Sequence, residues 1–121
     1  GRPDLAVAND GFNTVSVLRN TGNGSFAPKI DFATGMRPFS VAIGDLDGDG
    51  RLDLAVANFK SNTASVLRNT STSGSITTGS FATKVDFETG MAPRSVSIGD
   101  LDGDGRPDLA VANSESHTIS V

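Results

Sequence analysis

Apolar and polar residues alternate in short runs along the chain, and no run has the spacing of an amphipathic helix. In the segment 53–57 the Leu and Val side chains fall on one face and the two Ala on the other, which is the period-two pattern of a β-strand. Pairs such as Asn-Gly and Thr-Gly mark tight turns between the runs. The pattern predicts an all-β protein with strands at 4–8, 14–18, 26–32, 40–44, 53–57, 63–67, 81–87, 95–99, 108–112 and 118–121.

The strand pattern itself repeats. Residues 44–58 recur at 99–113 with a single change, from Leu52 to Pro107. A period of about 50 residues is the size of one propeller blade, and fixed self-similarity indicates a repeat architecture. We expect blades of four antiparallel strands in a partial ring of about two and a third repeats. The chain then comprises repeat one (1–49), repeat two (50–104) and a partial third repeat (105–121), with one complete blade at about 39–87.

Composition narrows the classes of function. The chain has 121 residues and no Cys, which excludes disulfides, thiolate zinc sites and cysteine nucleophiles. No apolar run approaches the roughly 20 residues that a membrane-spanning helix needs. A net charge of −4 with only ten basic residues argues against a nucleic-acid partner. The single His, His117, aligns with Asn13 and Asn62, so a structural surface role is expected for it and no enzyme activity is predicted.

The acidic residues are concentrated in two loops. Eight of the 14 lie at 45–53 and 100–108, where four carboxylates within nine residues repel one another. A bound cation normally neutralises such a cluster, and two divalent ions would cancel the net charge of the chain. The alternative is an Asp/Gly turn that holds no ion.

The spacing Asp-x-Asp-x-Asp-Gly-x-x-Asp predicts which cation binds. Hard oxygen ligands favour Ca²⁺ over zinc or copper, and Mg²⁺ is disfavoured because it demands strict octahedral geometry. An EF-hand would need Glu at loop position 12, where Val56 and Val111 stand, and helices on both sides. We expect a sharp turn at Gly50 and Gly105. The predicted ligand sets for two Ca²⁺ ions are Asp45, Asp47, Asp49, the Arg51 carbonyl and Asp53, and Asp100, Asp102, Asp104, the Arg106 carbonyl and Asp108.

The segments 13–20, 24–26, 41–50 and 53–58 together resemble the FG-GAP/VCBS repeat of integrin-alpha-like β-propellers. The resemblance covers essentially the whole chain and implies four-stranded blades around an axis, with Ca²⁺ in the turn after the innermost strand. The Phe-Gly and Gly-Ala-Pro signatures are weak, since Met36-Arg37-Pro38 and Met91-Ala92-Pro93 stand where a Gly-x-Pro-like segment is expected. This departure favours the bacterial-type repeats of the family.

Three functions follow as hypotheses. The first is an extracellular or cell-surface module, bacterial in type, that binds a glycan or protein ligand through the loops 59–62, 71–79 and 114–117, which differ most between repeats. The second is a self-assembling structural protein forming rings or filaments, and the third is a non-catalytic accessory region of a larger secreted enzyme. Either further blades or copies of the chain would complete the propeller. Met36 and Met91 recur at one place and are expected to pack in the core or between blades.

Overall fold

The computed structural model describes residues 2–72 and 74–121, which form strands joined by turns and loops. No helix among these residues is long and apolar enough to cross a membrane. The prediction of an all-β chain is confirmed. The strands are β1 (Leu5–Asn9), β2 (Thr14–Leu18), β3 (Asn20–Gly22), β4 (Ser25–Phe26), β5 (Ile30–Ala33), β6 (Pro38–Gly44), β7 (Asp53–Asn58), β8 (Thr63–Leu67), β9 (Val85–Glu88), β10 (Pro93–Gly99), β11 (Asp108–Asn113) and β12 (Thr118–Ser120).

All strand pairs are antiparallel. The central sheet is a four-stranded meander in the order β6-β7-β8-β9. A three-stranded sheet, β1-β2-β5, precedes it in the chain and another, β10-β11-β12, follows it, while β3 and β4 form a separate hairpin. The described strands therefore form stacked antiparallel sheets that do not close into a propeller ring.

The outer strand is shorter than predicted in the first two repeats. β5 and β9 begin four residues after the starts of the predicted strands at 26–32 and 81–87. Ala27 donates its backbone N–H to the Arg19 carbonyl over 2.8 Å, and the equivalent bond recurs in the next repeat. The residues before β5 and β9 pair with the chain that follows β2 or β8, whereas β5 and β9 pair with β2 and β8 themselves. The outer strand is therefore not continuous.

Each face of the central sheet packs against a neighbouring sheet. The Leu54 and Val56 side chains lie in one core, shared with the first sheet and completed by Val15, Val17, Phe32 and Leu67. Ala55 and Ala57 lie in a second core, shared with the third sheet and completed by Ala64, Val96 and Val111. The alternation of large and small residues along β7 thus assigns one face to each neighbour.

The meander places its connections at two opposite ends. We call one the loop end, which carries the Asp-rich loops, and the other the turn end, which carries the short turns. The loop end comprises 45–52, 68–72, 74–84 and 100–107, and the turn end comprises 10–13, 34–37, 59–62, 89–92 and 114–117.

Candidate metal centre

Each Asp-rich loop reverses the chain between two strands by using glycine. In the loop 45–52, which joins β6 to β7, Gly48 and Gly50 have φ angles of 76° and 84°. Gly103 and Gly105 have 82° and 86° in the second loop. These angles lie in the left-handed region, where a side chain would be strained. The turn predicted at Gly50 and Gly105 is confirmed.

The first loop brings three of its four predicted carboxylates together. Asp45, Asp47 and Asp49 each offer one oxygen, and these oxygens lie within 4.8 Å of one another. Three unneutralised carboxylates at this separation repel, which favours a cation among them. Asp53 lies outside this group.

Asp53 is instead the buried carboxylate of the loop, with 1% of its surface exposed. It accepts the backbone N–H of Leu46 over 2.9 Å and that of Asn69 over 2.7 Å. These two bonds tie the loop to the chain that follows β8. Asp108 at the same position of the second loop is half-buried and accepts one such bond, from Leu101 over 2.9 Å.

The second loop groups a different set of three. Asp100, Asp102 and Asp108 have oxygens within 4.8 Å of one another, and Asp104 lies outside the group. The two loops thus share positions 1 and 3 and differ in the third member. Arg106, whose carbonyl is a predicted ligand, donates its backbone N–H to Asp104 over 2.8 Å.

Backbone N–H groups surround the carboxylate at loop position 1. Asp45 accepts from Gly48, Asp49 and Gly50 over 2.8, 3.1 and 2.9 Å. The first and third of these bonds recur at 2.8 and 2.9 Å in the second loop. Arg51 donates its N–H to Asp49 over 2.8 Å. These amides offset part of the negative charge and hold the loop in shape, and Asp45 Oδ2, which accepts a single bond, keeps a further lone pair.

Two arginine side chains form ion pairs with the carboxylates of the first loop. The Arg51 guanidinium contacts Asp49 and donates to the Asn69 carbonyl over 2.8 Å, and Arg68 lies 3.6 Å from Asp47. Among the described residues, no ion pair reaches the carboxylates of the second loop. The carboxylates of the second loop therefore have less positive charge in contact with them, although Arg106 stands at the position of Arg51.

The donor set fits calcium. Every side-chain donor in the two groups is a carboxylate oxygen, the ligand that hard divalent cations prefer. Calcium binds oxygen at about 2.3–2.6 Å, so ligands on opposite sides of one ion are about 5 Å apart. Oxygens within 4.8 Å of one another can therefore share a single ion.

The repeat has a known counterpart. A family model described as the FG-GAP-like repeat matches the chain twice, over residues 1–56 and 45–111. The chain belongs to the FG-GAP-like repeat family. Comparison with curated proteins and with solved structures finds no match. FG-GAP membership identifies the stacked sheets as a repeat module of the β-propeller type, and each match includes the first Asp-rich loop.

The predicted variable loops lie at different ends of the FG-GAP module. The loops 59–62 and 114–117 lie at the turn end. Of the segment 71–79, Ser73 is outside the described residues. Ser71 and residues 74–76 border a cavity of about 510 Å³ at the loop end. The cavity is lined mainly by polar groups, among them Arg2, Asp4, Arg19, Asn20 and Asn69.

Sequence reasoning missed a cluster at the turn end and misjudged both methionines. Met36 and Met91 are 48% and 54% exposed, so the expectation that they pack in the core or between blades was wrong. They follow glycines in loops that face outward rather than on a strand face. The same end carries a stack of aromatic and arginine side chains at Arg37, Phe39, Phe59 and Arg94. The one available signal was that these positions differ between repeats, with Ala92, Arg94 and Ser114 standing where Arg37, Phe39 and Phe59 stand.

Proposed function

We propose that the chain is a calcium-binding module of a β-propeller that presents its variable loops to a protein or glycan ligand outside the cell and performs no catalysis. The calcium proposal rests on two clusters of three carboxylates, one cluster in each Asp-rich loop. Within each cluster the oxygens lie within 4.8 Å of one another. Two loops that share sequence and glycine geometry make an accidental cluster a poor explanation.

The role of the ion would be structural. Each loop joins two strands that contribute side chains to a core, so neutralising the loop steadies the strand pair. A ligand that binds only the folded state stabilises it by mass action, by about 2.7 kcal/mol per site at 100 times the dissociation constant. The ligand-presenting role rests on the turns and loops that differ between repeats while the strands are kept.

Calorimetric titration with CaCl₂ after EGTA treatment tests the proposal. We expect two bound ions per chain and a melting temperature that rises with calcium concentration. Asp47→Asn and Asp102→Asn should each remove one ion from the stoichiometry, because each takes a carboxylate from one group. Glu115→Gln, an exposed acid at the turn end, is the matched control and should keep both ions. No heat and no melting shift would overturn the calcium assignment.

A second candidate function, self-assembly, is supported by the outer sheets. Leu5 and Val7 are about half exposed, whereas the identical residues Leu54 and Val56 in the central sheet are buried. Ala112 and Ile119 of the third sheet are also exposed. These two faces match the large and small faces that meet inside the molecule, so another FG-GAP repeat can cover each of them.

Light scattering across a range of chain concentrations tests self-assembly. Copies that stack head to tail should give masses above that of one chain, and Val7→Glu should reduce them by placing a charge on the exposed face. Thr78→Glu, an exposed position in the 71–79 segment, is the charge-matched control. One chain mass at every concentration would count against this candidate.

A further inference from the structure

Four side chains form a compact cluster at the turn end. The rings of Phe39 and Phe59 stack with their centroids 4.6 Å apart and their planes 17° from parallel. The guanidinium carbon of Arg37 lies 5.3 and 5.4 Å from these two centroids, and that of Arg94 lies 5.6 and 5.1 Å from them. We call these four residues the Arg–Phe cluster. Its geometry is that of cation–π contact on an aromatic pair.

The two arginines of the cluster differ in their partners. Arg37 is held by a bidentate ion pair with Asp10, over 2.8 and 3.0 Å. Arg94 donates its Nε to the Ser114 hydroxyl over 3.1 Å. Among residues 2–72 and 74–121, no carboxylate lies within 4.0 Å of the Arg94 guanidinium. Arg94 is thus fixed by the rings and by Ser114, while its terminal amino groups can still bind a carboxylate.

Exposed apolar side chains lie at the same end. Phe12 is 83% exposed, and Met36 and Met91 are about half exposed. The backbone beneath the methionines is fixed, because the N–H of Met36 donates to the Ser61 hydroxyl over 3.1 Å and that of Met91 to the Ser116 hydroxyl over 3.0 Å. Phe, Met and Arg are the residue types enriched at the centres of protein interfaces. We call the Arg–Phe cluster with Phe12, Met36 and Met91 the turn-end patch.

The fold does not require the residues of the cluster. The third sheet, β10-β11-β12, forms in the same way with Ala92 at the position of Arg37 and Ser114 at that of Phe59. Phe39 and Phe59 are only half-buried, so they leave apolar surface in water. The cluster holds two arginines in a fixed arrangement at a single sheet junction, and such a preorganised surface binds a partner at a lower entropic cost.

We propose that the turn-end patch is a docking site for a protein segment that places a carboxylate on Arg94 and apolar side chains against the neighbouring methionines. The proposal rests on the ligand-presenting role proposed above and names its surface and partner class. Charge complementarity argues for the carboxylate, because within the described part of the chain Arg94 has no acidic partner while Arg37 has Asp10.

A protein partner is favoured over an acidic glycan. Sugars bind aromatic side chains by stacking on an open ring face, but Phe39 and Phe59 stack on each other with an arginine beside both. The remaining surface is offered by Met36, Met91 and Phe12, which apolar side chains cover well. The flexible methionine side chains can pack against apolar residues, and the fixed Arg94 guanidinium can bind one carboxylate. The patch therefore suits a segment with one acidic residue among apolar ones.

Methionine-methyl NMR tests the proposal on the intact chain. The chain has two methionines, both in the patch, so each ¹³C-methyl signal reports on it directly. The probes are the blocked peptide Gly-Leu-Glu-Leu-Gly, its Gln twin and glucuronic acid. We expect the Glu peptide to shift both signals and the Gln peptide to bind about tenfold more weakly, because the charge-assisted bonds are lost. Equal binding of the two peptides, or equal shifts from glucuronic acid, would overturn the proposal.

Variants complete the test. Arg94→Gln should abolish the preference for Glu over Gln, and Arg94→Lys should keep part of it, since lysine retains the charge but not the planar fork. Arg19→Gln, an exposed arginine at the far end of β2, should leave the preference intact. An unchanged preference in Arg94→Gln would refute the proposal. Calcium stoichiometry measured on the same samples reports separately on the metal sites, so the failure of one proposal is distinguishable from failure of the other.

Discussion

The loop end and the turn end of the sheets repeat in opposite ways. The two Asp-rich loops, 45–53 and 100–108, are identical except where Leu52 becomes Pro107. At the turn end, the cluster positions Arg37, Phe39 and Phe59 lie on or beside the central sheet, and the equivalent positions of the third sheet hold other residues. The Asp-rich loop recurs, which indicates that it shapes the repeat itself. The Arg–Phe cluster occurs once, which indicates a role at one place on the molecule.

The difference has a physical basis in the reach of the contacts. The bonds around the carboxylate at loop position 1 join residues at most five positions apart, such as Gly48 and Asp45, so both copies of the sequence reproduce the bonds from the two glycines. The Arg–Phe cluster joins all three large sheets, from Asp10 beside Arg37 to Arg94 at the start of β10. Such a junction can change without disturbing the repeat.

The largest effect is expected at the loop end, from Asp53→Ala. The change leaves the backbone N–H groups of Leu46 and Asn69 without an acceptor in a buried place. Each buried N–H group without an acceptor costs about 1–3 kcal/mol, so we expect a loss of about 3 kcal/mol or more in the free energy of unfolding. Urea unfolding in EGTA measures this loss without any contribution from calcium.

Asp108→Ala is the matched control for that prediction. Asp108 has the same neighbours in sequence but is half-buried and accepts one backbone bond, so we expect a loss of about 1 kcal/mol. Equal losses in the two variants would show that burial does not separate the two copies.

A smaller effect is expected at the turn end, from Phe59→Ser, which installs the residue of the third repeat. Loss of the half-buried ring and of its stack on Phe39 should cost about 1–2 kcal/mol. Phe12→Ser, in the equivalent turn of the first repeat, should change stability by less than about 0.5 kcal/mol because Phe12 is largely exposed. A loss in Phe59→Ser as large as that in Asp53→Ala would remove the distinction between the two ends.

The sequence was sufficient to predict most strands and loops within a repeat, but not the side-chain contacts between repeats. Period-two alternation and turn glycines were sufficient for the strands of the three large sheets but not for the β3–β4 hairpin. The Leu/Val and Ala faces of β7 do meet different neighbours. The interruption of the predicted strand 26–32 could not be read from the sequence, because it depends on the bond from the Ala27 amide to the Arg19 carbonyl. The Arg–Phe cluster was not visible either, since Arg37 and Arg94 lie far apart in sequence and no local pattern joins them. The ligands of the Asp-rich loops, and the ion that they hold, stay predictions.

The smallest effect concerns the Asp10–Arg37 pair, where pH separates charge from packing. The hydrogen bonds from Arg37 hold the pKa of the Asp10 carboxyl below its ordinary value of 3.8. Because the pKa is lower in the folded state, the pair contributes stability at pH values above 3.8, and this contribution is lost as the pH falls through the lowered value. Asp10→Asn should therefore melt slightly lower than the unchanged chain at pH 6, and the difference should vanish near pH 2.

Glu115→Gln provides the comparison for this small shift. It removes the same charge from another turn-end position, and among the described residues no cation forms an ion pair with Glu115. We expect its melting temperature to stay parallel to that of the unchanged chain between pH 6 and pH 2, without the convergence expected of Asp10→Asn. Convergence in both variants would assign the pH dependence to net charge. Convergence in Asp10→Asn alone would show that Arg37 is neutralised by its own partner, leaving Arg94 as the arginine of the cluster with charge to offer.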